Sequence, residues 1–225
     1  MSQKELSCGK KECFIGIGVF VCFLLFTVLV RFLDVKAIGP MNSEVGFATI
    51  NGAVANALPY NHLFYSVSKY VGALALLWVP CFAGIGLFQL VKRKSFKKVD
   101  ASLYLMAVLY AAVAFLYVVF EIVIVNYRPV DLGEGLEASY PSSHTLLAIS
   151  ICGSAIIGFL NIVKKNGLKL ALSVIAMLEM LIVVVTRILS GVHWISDIFA
   201  GILLGVSLIL LYTGGVKLAT KYQKK

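Results

Sequence analysis

The sequence predicts an all-α fold: an integral membrane bundle of six transmembrane helices in a single domain covering residues 1–225. Three observations predict it. Hydrophobic residues make up 60% of the chain and charged residues 14%, with a mean hydropathy of +0.94. A soluble domain carries about 25% charged residues, so this much apolar surface asks for lipid as its solvent. The apolar residues fall into six runs of about 20 residues, each enough to cross roughly 30 Å of hydrocarbon. Lys and Arg gather in short blocks between those runs, the pattern of cytoplasmic loops.

The first span is expected at about residues 14–33, after Lys4, Lys10 and Lys11. It has the look of a signal peptide, but no small-x-small cleavage site follows it, and Arg31, Phe32 and Leu33 extend the run. It therefore reads as a retained helix with Arg31 reaching to the interface. Residues 34–69 are the longest stretch outside a span. Pro40, Pro59 and scattered Gly, Asn and aromatic residues suggest an outer, lid-like segment with room for a short interfacial helix. The remaining spans are expected at about 70–91, 101–125, 144–163, 168–189 and 192–212. A polar loop, Asn126 to Ser143, carries Asp131, Glu134 and Glu137, and Ser190-Gly191 breaks the last two spans apart.

Charge sets the expected orientation. The N-terminal tail, the loops after the second and fourth spans and the C-terminal tail hold 15 of the 20 Lys and Arg residues. Arg31, Lys36, Lys69, Arg128 and Arg187 fall on the other side. Both termini should then be cytoplasmic, in a multi-pass protein of the cell membrane. The net charge of +9 lies in separate blocks and offers no continuous basic face, which argues against nucleic acid as a partner. Those blocks should attract anionic lipid headgroups. Cys8 and Cys13 lie in the polar tail, and Cys22, Cys81 and Cys152 lie in apolar runs, so no disulfide framework or metal site is implied.

Six ionisable residues stand out: Glu121, Arg128, His144, Arg187, His193 and Asp197. All fall at the outer ends of the third to sixth spans, where such groups are costly and usually functional. His193 and Asp197 are four apart, so they share one helix face. Asp197 could then accept a hydrogen bond from one imidazole nitrogen and leave the other as a nucleophile. Arg128 and Arg187 offer planar forks for phosphate oxygens. Ser142 or Ser143 could cap the fourth span, whose first amides could donate to an anion. His144 would stand beside that anion, placed to protonate a leaving oxygen. Glu179, within the fifth span, reads as a buried hydrogen-bonded group, and Trp194 and the outer tyrosines read as interface aromatics.

The segments Asn126-Tyr127-Arg128-Pro129, Pro141-Ser142-Ser143-His144 and Thr186-Arg187-x5-His193-x3-Asp197 resemble the three signature motifs of the type 2 phosphatidic acid phosphatase family, K-x6-R-P, P-S-G-H and S-R-x5-H-x3-D. The resemblance covers about Glu121 to Asp197 by motif and the whole chain by its six-span layout. It implies the family's haloperoxidase-like helical core and a membrane lipid phosphatase with its active site at the outer face. Family substrates include phosphatidic acid, phosphatidylglycerophosphate and polyprenyl pyrophosphates. The roles it implies are His193 as the nucleophile that forms a phosphohistidine, Asp197 as its orienting partner and His144 as proton donor. Arg128 and Arg187, with Ser142 and Ser143, would hold the phosphoryl group, with no cofactor and no metal.

Three positions depart from the family pattern. Ser143 stands for Gly and Thr186 for Ser, both keeping small polar character, whereas Glu121 stands for the Lys of the first motif and replaces a cation by an anion. The residues leave two further functions in play. One is transfer of a phosphoryl or headgroup to another alcohol; the other is lipid binding or transport without turnover. Intact His144, His193 and Asp197 speak for turnover, and Glu121 speaks against it. Glu121 could be neutral through burial beside an anion, could pair with Arg128 or Arg187, or could meet a cationic headgroup; pairing is the favoured resolution.

Overall fold

The structure, a computed structural model, describes residues 3–133 and 135–223, with side chains over 9–220 apart from Glu134. Glu134, Lys224, Lys225 and the side chains of Lys4 and Cys8 thus lie outside the described residues. Eight helices are described: α1 Gln3–Phe32, α2 Ala48–Ala57, α3 His62–Ala75, α4 Trp78–Arg93, α5 Ala101–Ile122, α6 Ser143–Ile162, α7 Asn166–Leu189 and α8 Ile195–Gln223. α3 and α4 follow one another as a single crossing, and six segments are long and apolar enough to span a membrane: Gly9–Phe32, His62–Arg93, Ala101–Ile122, Ser143–Ile162, Asn166–Leu189 and Ile195–Thr220. The protein is therefore a multi-pass membrane bundle, as the composition requires.

The second span differs most from its expected bounds. It starts at His62 rather than near residue 70, because Asn61 caps it by accepting a hydrogen bond from the Phe64 amide at 3.2 Å. Ser66, Ser68 and Lys69 do not end it; they sit inside the helix. It also breaks at Leu76 and Leu77. Pro80 has no N–H to give to the carbonyl of Leu76 and its ring crowds that carbonyl, which explains the break. A straight helix of this length would measure about 48 Å, well beyond the roughly 30 Å thickness of the hydrocarbon.

α6 and α8 form the centre. Of their apolar windows 61% and 56% are buried, against at most 22% for the other four spans. α6 is rich in small residues, including Ala148, Ser150, Gly153, Ser154, Ala155 and Gly158, which let neighbouring helices approach closely. α1 packs along α8 in the same way. A methyl group on Gly214 would lie 2.5 Å from the Cys13 sulfur and 2.7 Å from the Gly9 carbonyl. Glu12 and Lys217 form an ion pair across this seam. Within the bundle, the Trp78 indole donates to the Glu179 carboxylate at 2.7 Å, which accounts for a carboxylate in the middle of α7.

Residues 34–69 do not form a separate lid. Two short antiparallel strands, β1 Lys36–Ala37 and β2 Glu44–Val45, lead into α2. Asp34 caps that helix, accepting from the Thr49 amide at 2.7 Å and pairing with Lys36 at 3.0 Å. Gly46 touches the end of α1 so closely that a methyl group there would lie 1.5 Å from the Val30 carbonyl oxygen. The stretch is clamped to the bundle, and residues 62–69 belong to α3.

Candidate active site

The loop between α5 and α6 folds back on itself. Tyr127 and Ala138 form an antiparallel bridge, Arg128 N–H donates to the Glu137 carbonyl at 3.0 Å and Ser139 N–H donates to the Asn126 carbonyl at 2.9 Å. At its tip the Asp131 carboxylate accepts from the amides of Gly133 and Gly135, both at positive φ. This register puts Arg128 beside Glu137 and Ser139 beside Asn126.

Asn126 and Ser139 then meet Asp197 in the first turn of α8. The Asp197 carboxylate is fully buried and accepts from Ser139 Oγ at 2.6 Å, the Trp194 amide at 3.0 Å, Asn126 Nδ2 at 3.1 Å and Ser196 Oγ at 3.4 Å. A buried carboxylate needs such partners. His193 lies before α8 rather than on it, and its Nδ1 is 3.9 Å from Asp197 Oδ2. The direct hydrogen bond expected from the four-residue spacing is therefore not made. Ser139 Oγ stands between the two, 2.9 Å from His193 Nδ1. With the Ser139 hydroxyl hydrogen committed to Asp197, its oxygen accepts from Nδ1–H, and Nε2 carries the lone pair.

His193, His144, Arg128, Ser143 and Glu121 line one cavity of about 110 Å³. Burial is the main influence on His193, and the positive charges of Arg187 and Arg128 add to it, holding the imidazole well below its ordinary pKa and therefore neutral. Arg187 is only 1% exposed, with no carboxylate in ion-pair range among the described residues. The Tyr65 ring on α3 faces its guanidinium carbon, 5.3 Å from the ring centre. His193 Nε2, His144 Nδ1, Arg128 Nε and Arg187 Nε and Nη1 are all buried and make no hydrogen bond among the described residues.

The remaining sequence expectations sort out as follows. Ser143 lines the cavity, whereas the buried Ser142 does not. Ser142 is at the N-cap of α6 without a side-chain capping bond; its hydroxyl accepts from Thr145 at 3.1 Å, and its amide donates to the Asp197 carbonyl at 2.9 Å. Arg128 pairs with Glu137 at 2.9 Å, not with Glu121. Glu121 is exposed on the cavity wall. Trp194 is no interface aromatic: it is 3% exposed, and its indole donates to the Tyr127 carbonyl at 2.7 Å, pinning the loop to α8. Tyr140 is likewise buried, 2.8 Å from the Thr27 hydroxyl. The sequence reading missed Ser139, Asn126, Asn51 and Ser196. Asn126 opens the first motif segment and Ser139 lies two residues before the second, and that placement is the one signal that could have found them.

Fold and site together define a mostly helical membrane protein in which a buried histidine, serine and aspartate are linked by hydrogen bonds, with the charges of two arginines acting on the histidine. Residues 53–221 match the family model of the PAP2 superfamily, which is three-quarters of the chain, and the protein belongs to that superfamily. Among solved structures, it is similar to the first transmembrane PAP2-type phosphatidylglycerolphosphate phosphatase from Bacillus subtilis. That similarity has 21% identity and a TM-score of 0.61 over 88% of this chain and 94% of the other. Aquifex aeolicus LpxE is matched at 23% identity, with a TM-score of 0.38, over 74% of this chain and 91% of the other. No curated protein sequence matches significantly.

Proposed function

We propose that the protein is a lipid phosphatase that hydrolyses a phosphate ester or diphosphate of a membrane lipid at the outer face, through a phosphohistidine on His193. One observation carries this reading: five buried nitrogens on His193, His144, Arg128 and Arg187 have no hydrogen-bond partner among the described residues. Burying a guanidinium without a counter-charge costs several kcal/mol. A phosphoryl group offers the oxygens that the arginine N–H groups need and the phosphorus that a histidine lone pair can attack.

In the first step Nε2 of His193 forms a bond to phosphorus. The bond from phosphorus to the lipid oxygen breaks, and that oxygen keeps the electron pair and takes a proton from His144. Ser139 and Asp197 hold Nδ1–H and stabilise the imidazolium as it forms, while Arg128 and Arg187 face the phosphoryl oxygens and Ser143 lies beside them. In the second step His144 takes a proton from water, the water oxygen bonds to phosphorus, and His193 leaves. The arginines supply the positive charge opposite the phosphoryl oxygens, so no step is assigned to a metal.

Phosphate release from detergent-solubilised protein tests the reading, with long-chain lipid phosphates as substrates and an added acceptor alcohol to detect transfer. Release should continue in excess chelator and fall at least ~1000-fold in His193→Ala, the scale of losing a nucleophile that acts as part of a unit. Full activity in that variant, or complete loss with chelator, refutes it.

A further inference from the structure

His144 borders two cavities. Besides the one it shares with His193, it lines a second of about 190 Å³ that runs between α3 and α6. The walls of this second cavity include Gly72, Leu76, Ala148 and Ile151, and its one charged wall residue is Lys69. From His144 to Ile151 the helix rises about 10 Å, from the outer end of α6 toward mid-membrane. Lys69 follows Tyr65 by one turn of α3, so the face that sets Tyr65 against Arg187 also sets Lys69 toward the site. Lys69 is exposed and has no carboxylate in ion-pair range among the described residues. In the first cavity, by contrast, the charged wall residues are Arg128, already paired with Glu137, and Glu121.

This inference rests on the phosphohistidine reading. In-line displacement sets the leaving oxygen across phosphorus from His193, at His144. Whatever that oxygen belongs to must occupy the openings beside His144. Glu121 repels an anion on one side, whereas the other offers a cation and then an apolar groove. We propose that Lys69 is a specificity-determining residue that binds a negatively charged leaving group, the inner phosphate of a lipid diphosphate. The outer phosphorus is attacked by His193, and its bond to the bridging oxygen breaks. That oxygen keeps the electron pair, takes the proton of His144 and departs as part of a lipid monophosphate, and water then releases inorganic phosphate. The leaving group of a simple monoester is a neutral alcohol, which leaves Lys69 without a counter-charge.

The test compares kcat/KM for the diphosphate and the monophosphate of one long-chain alcohol in wild type, Lys69→Met and Lys69→Arg. Lys69→Met should lose about tenfold on the diphosphate and less than about twofold on the monophosphate, with Lys69→Arg close to wild type on both. Equal losses on both substrates, or none on the diphosphate, overturn the assignment. Calorimetric binding of inorganic pyrophosphate and orthophosphate to the solubilised protein gives a readout that needs no turnover. Pyrophosphate affinity should fall about tenfold in Lys69→Met while orthophosphate affinity holds. A wild type that cleaves neither lipid refutes the phosphatase reading, whereas pyrophosphate binding indifferent to Lys69 refutes this one.

Discussion

Ser139→Ala isolates the relay. In the wild type one hydroxyl serves both partners, giving its hydrogen to Asp197 at 2.6 Å and accepting from His193 Nδ1 at 2.9 Å. Removing it leaves Asp197 with Asn126, the Trp194 amide and Ser196 as donors, so the buried carboxylate stays satisfied and the fold should survive. His193 loses more. Its Nδ1 is left 3.9 Å from Asp197, beyond hydrogen-bond distance, in a site where, on the proposed mechanism, the imidazole becomes positive as it bonds to phosphorus. A hydrogen bond that involves a charged group contributes about 1.5–3 kcal/mol. If that contribution is made in the transition state, kcat falls ~10- to 100-fold with KM little changed, well short of the loss in His193→Ala. The assay is phosphate release at saturating lipid phosphate, with thermal unfolding in detergent as a control for folding. Wild-type kcat in Ser139→Ala, or a loss carried entirely by KM, would show that the hydroxyl does not support the nucleophile.

Four further outcomes are expected. Because burial and then the charges of Arg187 and Arg128 depress the His193 pKa, activity should fall on the acid side only below the ordinary histidine value of about 6.5; Arg128→Gln should move that limb upward, and a limb that stays in place speaks against the assignment. The sign for stability agrees: neutral His193 contributes stability that is complete above the unfolded value and is lost as pH falls through the depressed folded one, which a pH series of unfolding temperatures reads out. Reporter domains at the C-terminus and after Gly133 should be active on opposite sides of the membrane, the C-terminal one inside, and an exclusively external C-terminal signal defeats the orientation. Glu121→Gln should change kcat/KM by about tenfold or less, since Glu121 is exposed and Arg128 already has Glu137; a loss on the scale of His193→Ala would make Glu121 catalytic.

The spans and the ionisable residues were legible for the same reason. Lipid excludes charge, so each apolar run marks a helix and each His, Arg or Asp at its outer end stands out against it. The supports of those residues were not legible. Ser139, Asn126, Asn51 and Ser196 are ordinary polar residues in loops and at helix starts, where neither period nor composition singles them out. Their role depends on a loop that doubles back so that Arg128 meets Glu137 and Asn126 meets Ser139, a register no spacing rule supplies. The four-residue interval between His193 and Asp197 misled for a related reason. It presumes a helix, but α8 begins only at Ile195, and the gap that results is filled by the Ser139 hydroxyl. Lys69 misled as well: a charge was read as the edge of a span, whereas the capped helix carries it past His144.

The segment before α3 follows the same logic. Its composition suggests a cover over the site, but its hydrogen bonds make it a support from behind. Asn51 is fully buried, donates to the Gly46 carbonyl at 2.7 Å and to Ser196 Oγ at 2.9 Å, and accepts from the Ser196 amide at 3.2 Å. The Gly46 amide donates to Asn126 Oδ1 at 3.4 Å, and the other end of that amide side chain donates to Asp197. Two routes therefore run from α2 and its leading turn to the carboxylate beneath Ser139 and His193. A lid must open and so cannot be held by buried polar groups that each need their partner. A support must do the reverse, and the close contact of Gly46 with Val30 leaves it no freedom to move. Access to His193 must then come from the side where the cavities lie, between α5 and α6 and between α3 and α6, which on the proposed orientation is where a lipid of the outer leaflet would arrive.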